Sequence, residues 1–325
     1  MTPLPLTNFH ISGVETLVFA GGGNRCWWQG GAVAHLLQQG WKLPPQLVGT
    51  SAGAGVAASC ITNGPRAALA ACTRLYEANS QLLEWKSVAR LQIRFAHQHI
   101  YPSWIESFVN SENFAGLQAA PSRLRVALTR PARLLGLAGS IAAGTLAYIV
   151  DKHVWNSIHP RLPKLFGLHQ DFVDLHECQD SAEAQALLGA AAAAPPFMRS
   201  RRIGGSPAFD GGYTDNAPIH PQSAAEKSKT LVLLTRHYPH LPQLFRWADR
   251  TIGNPVKGSP YPLGTAEKIR PCERHSLSAK VTPSTSLASG VRVWPNPSFK
   301  RTRYGKPALA FILFWAKAGL PTRAA

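Results

Sequence analysis

Short apolar runs alternate along the chain with longer stretches of helical periodicity. Thr16 to Ala20 (Thr-Leu-Val-Phe-Ala) is β-branched and apolar, the pattern of a strand buried on both faces. A glycine run follows, then a helical stretch with Val33, Leu36 and Leu37 on one face. Gln46 to Val48 predicts a second short strand. From Ala54 to Cys60 the side chains are small, which lets a helix pack closely on a sheet. Residues 65–85 place Leu69, Cys72, Leu75, Tyr76, Leu82 and Leu83 at helical spacing, with Pro65 suited to a first turn, and the cysteine and aromatic positions, Cys72 and Tyr76, are expected in the core. Arg123 to Thr129 alternates and predicts a strand. Phe172 to Leu175 predicts a shorter one, Ala182 to Ala194 a helix ended by Pro195-Pro196, and Leu231 to Leu234 a last buried strand. Strands alternating with helices through residues 16–235 imply an α/β fold with a mostly parallel central sheet covered on both faces.

One stretch stands apart. Leu134 to Val150 carries no charge and lies between Arg130 and Arg133 on one side and Asp151 and Lys152 on the other. A membrane span needs about 20 predominantly apolar residues, and this stretch is diluted by Gly, Ser and Thr. It is expected to be a core helix, with a lipid-contacting helix as the alternative.

Charge divides the chain. The net charge is +17, yet residues 246–325 hold 14 of the 34 Lys/Arg and 3 of the 17 Asp/Glu. Beyond about Arg250 the periodicity stops. The sequence therefore predicts a folded domain over residues 14–240 and a basic, poorly ordered tail over 251–325. That tail lacks interleaved aromatics, so no nucleic-acid partner is expected. The five cysteines are scattered, odd in number and without C-x-x-C spacing, which fits a reducing compartment better than a disulfide framework. The first residues show no basic n-region or long apolar core. A cytoplasmic protein is expected, with peripheral contact at the inner membrane face left open. His97, His99, His153, His159, His169 and His176 form no metal-ligand spacing, and the tryptophans read as packing residues. No metal and no organic cofactor is implied.

Three short motifs carry chemistry. Gly21-Gly22-Gly23-Asn24-Arg25 directly follows the first strand. Glycines there let the backbone turn sharply and expose N–H groups to a phosphate or an oxyanion. A dinucleotide loop would need glycine where Cys26 stands. Gly49-Thr50-Ser51-Ala52-Gly53 lies between the second strand and a helix of small residues, the context of a G-x-S-x-G nucleophile elbow. Gly49 and Gly53 allow that turn to close, and the helix directs its positive end at the serine. Asp210-Gly211-Gly212 comes late in the domain. An activated serine needs a base. An α/β-hydrolase arrangement would use a histidine after the acid, and His220, His237, His240 and His275 qualify by order; alternatively the Asp210 carboxylate accepts the serine proton itself.

Together, in this order, the motifs resemble those of the patatin-like phospholipases over about residues 14–240. The resemblance implies a three-layer α/β/α fold and a lipid acyl hydrolase of phospholipase A type, acting on lipid or phospholipid esters through a serine–aspartate dyad. It implies Ser51 as nucleophile and Asp210 as base, with Gly21, Gly22 and Gly23 in the oxyanion loop and Arg25 supporting that loop or an anionic head group. Gly49, Gly53, Gly211 and Gly212 support the elbow and the aspartate turn, and Asn216 and Pro218 match the N-x-P that follows. Cys26 departs from the family's glycine, and the basic tail departs from its C-terminal elements. A general carboxylesterase or thioesterase on the same dyad, or a catalytically silent membrane-associated protein with a disrupted C-terminus, are the alternatives.

Overall fold

The computed structural model describes residues 13–79, 95–151, 159–195 and 197–235. Leu82, Leu83 and the tail lie outside them. The elements run β1 (Thr16–Phe19), α1 (Trp27–Gln38), β2 (Gln46–Thr50), α2 (Ala52–Ile61), α3 (Pro65–Glu77), α4 (His97–Glu106) and α5 (Phe114–Gln118). They continue with β3 (Arg123–Arg130), α6 (Gly136–Val150), α7 (Leu162–Leu165), β4 (His169–Asp174), α8 (Ser181–Ala191), β5 (Arg201–Ile203), β6 (Ser206–Asp210), α9 (Ala224–Ser228) and β7 (Thr230–Leu233).

The sheet is mixed. β7, β1, β2 and β3 are parallel neighbours in that order. β4 and β6 both pair antiparallel with β3, and β5 extends β6 through a hairpin. The parallel strands are buried on both faces, with period two deciding which face each side chain joins. Leu17, Phe19, Leu47, Leu124, Val126, Leu231 and Leu233 enter one cluster with α2, α3, α4 and α8. Val18, Val48 and Val232 point the other way, against Ala217 and Ile219. On that second side Phe209 joins Ala132, Leu168 and the Leu137 and Ile141 face of α6. Helices thus lie on both sides of the sheet, which is the three-layer α/β/α arrangement.

Small residues in α2 permit close approach. A Cβ on Gly53 would fall 2.6 Å from the Ala20 carbonyl oxygen, and one on Gly55 would meet the Trp104 ring at 2.6 Å. Trp104 fills that space, and its indole N–H donates to the Ala68 carbonyl at 2.9 Å.

Cys72 is buried, while Leu69 is exposed at the edge of the α3 face formed by Pro65, Ala68, Ala71 and Cys72. One expectation is corrected. The uncharged stretch forms α6 as a helix, but it is not a core helix: Ser140, Gly144 and Ala147 alone are buried in it. No helix among the described residues is long and apolar enough to cross a membrane.

Candidate active site

Strand register brings Ser51 and Asp210 together. β4 occupies one edge of β3 from Arg125 to Arg130. β2 occupies the other edge up to the pair Thr50–Ala127. Leu128 and Thr129 also pair with Asp210 and Phe209 of β6. Since β4 already holds one edge there, β6 must lie in the lane of β2 and run toward its tip. The residue after Thr50 is Ser51, and the residue ending β6 is Asp210. The two strands meet head to head, and the Ser51 hydroxyl donates to Asp210 Oδ2 at 2.7 Å.

Ser51 carries the one positive φ of any non-glycine residue among those described, 54°. Such strain persists where the surroundings over-determine it. Here Gly49 lies against the backbone of Ala54, and Gly53 against the carbonyls of Phe19 and Ala20. Ser51 is the N-cap of α2, and its carbonyl accepts the Ala54 N–H at 3.0 Å. The unpaired N–H groups of that first turn surround the hydroxyl with positive potential.

Asp210 is 7% exposed. Its Oδ1 accepts the Gly212 N–H at 2.8 Å, and its carbonyl accepts the Thr129 hydroxyl at 2.9 Å. Gly211 lies directly over the Ala127 carbonyl, where no side chain fits. Burial pushes the Asp210 pKa up to about 6, even though the hydrogen bonds from Ser51 and Gly212 pull it down. A carboxyl group at that value accepts a proton readily near neutral pH.

The three glycines after β1 do different work. The Gly21 N–H donates to the Asn216 carbonyl at 2.8 Å, so it has no proton left for a substrate oxygen. Gly21 is therefore a scaffold residue of the loop rather than one of its free donors. Its carbonyl accepts Asn216 Nδ2 at 2.8 Å and also the Thr235 hydroxyl. A Cβ on it would lie 3.0 Å from Ser51 Cβ, which shows how near the loop passes. Among the described residues no acceptor takes the N–H of Gly22 or Gly23, and Gly23 sits at φ 57°. Arg25 Nε donates to the Gly22 carbonyl at 3.3 Å and so braces the loop. Cys26 is buried, with its thiol on the Ala20 carbonyl at 3.4 Å. Burial pushes that thiol far up, so it stays protonated as a donor.

Several supporting residues escaped the sequence reading. Gln29 bridges the Ala20 and Leu233 carbonyls at 3.1 and 2.7 Å, tying the loop to β7. Thr129 links Asp210 to the Thr214 hydroxyl at 2.8 Å. A lone Gln or Thr inside an apolar segment was the available signal. His159 is likewise engaged locally, on Asp215 at 2.7 Å, and His97 on the Tyr76 hydroxyl at 3.1 Å. No group of three or more His, Cys, Asp or Glu among the described residues could hold a metal ion. Cys26, Cys60, Cys72 and Cys178 are free and buried.

A family model described as patatin-like phospholipase matches residues 17–221, which is most of the chain. None of the curated proteins compared matches it. The matched span runs from β1 through the turn after Asp210 and includes both residues that meet at the tip of β2. The chain belongs to the patatin-like phospholipase family, hydrolases of the phospholipase and esterase type that act on lipids.

Proposed function

We propose that the protein is a lipid acyl hydrolase of phospholipase A type that works through a two-residue Ser51–Asp210 machinery. The observation that carries this reading is the 2.7 Å hydrogen bond from a strained, elbow-mounted serine to a buried carboxylate. Ser51 Oγ attacks the ester carbonyl carbon while its proton passes to Asp210 Oδ2. The negative charge forming on the carbonyl oxygen is met by the Gly22 and Gly23 N–H groups. Collapse breaks the C–O bond, and the departing alcohol takes the proton from Asp210. Water then attacks the acyl-Ser51 ester with Asp210 again accepting the proton; the acyl carbon–Oγ bond breaks, Ser51 Oγ takes that proton back from Asp210, and the fatty acid leaves. No step calls for histidine. Release of fatty acid from a diacyl phospholipid, against its diether analogue and against Ser51→Ala, tests the reading. Release from the diacyl lipid alone, lost in Ser51→Ala, is expected. Equal release by Ser51→Ala would overturn it.

A further inference from the structure

Helix α6 packs closely on one side and leaves a second apolar side bare. Its closest approaches are made by small residues, with Leu137 and Ile141 packed beside them: the Ser140 hydroxyl accepts the Ala132 N–H at 2.9 Å, and a Cβ on Gly144 would lie 2.8 Å from the Tyr213 ring. Toward the outside it presents Leu135, Ala138, Ala142, Leu146 and Ile149, one face by helical spacing. Leu146 is 55% exposed, Ile149 45%, and Leu134 just before the helix 100%. Neighbouring α7 adds Leu165, which is 78% exposed. A contiguous apolar face of this kind marks a contact surface rather than ordinary scattered exposure.

The charges around the face identify what it fits. Between Pro131 and Leu168 the chain holds Arg133, Lys152, Arg161 and Lys164 against a single acid, Asp151. Asp151 is buried, while Arg133, Arg161 and Lys164 are exposed. An apolar face whose own segment exposes Arg133, Arg161 and Lys164, and no acid among its described residues, matches the acyl boundary and head groups of an anionic bilayer. The face is also joined to the site: α6 packs on Tyr213, which follows the Asp210-Gly211-Gly212 turn.

We propose that the outer face of α6, with Leu134 and Leu165, is a docking surface for an anionic lipid membrane that sets the Ser51 elbow against its substrate. The purpose rests on the lipid-hydrolase reading, whereas the docking itself needs no turnover. Its test uses the full chain with vesicles of phosphatidylcholine alone and of phosphatidylcholine and phosphatidylglycerol in equal parts. Ala142→Cys in a Cys272→Ser background carries a polarity-sensitive fluorophore at the centre of the face, the four described cysteines being buried. The fluorophore is expected to shift to the blue on the mixed vesicles and not on phosphatidylcholine alone. Leu146→Asp with Ile149→Asp should weaken co-sedimentation about tenfold. The same variant should hydrolyse a short, monomeric ester at the parent rate, and that arm separates failure of docking from failure of the catalytic reading. Should the aspartates unfold the chain, Leu146→Ser with Ile149→Ser makes the same comparison. Co-sedimentation with an unshifted fluorophore would place the contact elsewhere, on the basic C-terminal residues, and overturn the proposal. A shift that follows protein concentration without vesicles would identify a second copy as the occupant and overturn it too.

Discussion

At the scale of single residues, the two central groups have opposed needs that the fold reconciles. Ser51 must stand out on a strained turn, and Asp210 must be buried beside it. Burial sets the pH behaviour. Asp210 is raised from 3.8 to about 6. In the proposed mechanism its ionised form accepts the serine proton, so kcat/KM for a neutral ester should fall as pH drops through about 6, well above the ordinary carboxylate range. The stability effect has the opposite sense. A carboxyl group with a raised folded-state pKa contributes stability below its unfolded value and loses it as pH rises through about 6. Asp210→Asn should therefore abolish turnover while raising thermal stability at alkaline pH, by about 1–3 kcal/mol. A variant less stable than the parent at that pH would contradict the burial argument. The meeting of the Ser51 and Asp210 turns was legible in the sequence because tight turns of this kind require fixed glycine neighbours. The scaffold role of Gly21 was not, because its partner, Asn216, lies 195 residues away.

At the scale of elements, the glycines of the elbow act through backbone contact. Gly53 lies against the carbonyls of Phe19 and Ala20, which belong to β1 and its exit. Gly53→Ala has no flexible side chain to displace, so α2 must shift away from the sheet. A loss of about 1–3 kcal/mol is expected in chemical denaturation, with slower turnover from a displaced Ser51. Parent-like stability and rate in Gly53→Ala would show that α2 can move freely. The parallel strands were legible from apolar runs between helical stretches. The β5–β6 hairpin was not read, although Gly204 and Gly205, both at positive φ, mark its turn. The burial of α6 was misjudged because a helix with apolar residues all round has no polar face to give its orientation. Its packing against Tyr213 and Leu168 decided which side turned inward.

At the scale of the whole molecule, the described fold draws all its site residues from Gly21 to Thr235, and the family match ends at 221. The excess positive charge lies mostly after residue 245. A chain ending at Arg250 should therefore fold and react with a fluorophosphonate as fast as the full chain. Loss of reaction in a folded, soluble truncated chain would show that later residues complete the site. The order of the three motifs made the fold and the candidate site legible together, whereas Gln29, Thr129 and Thr235 become site residues only once the sheet is assembled. The most direct measurement is covalent capture with a fluorophosphonate, read by mass spectrometry of the labelled peptides. A single adduct on Ser51 is expected, absent in Ser51→Ala, greatly slowed in Asp210→Asn, and kept when each histidine is replaced in turn. An adduct elsewhere, or a histidine replacement that removes labelling as fully as Ser51→Ala, would contradict the serine–aspartate assignment.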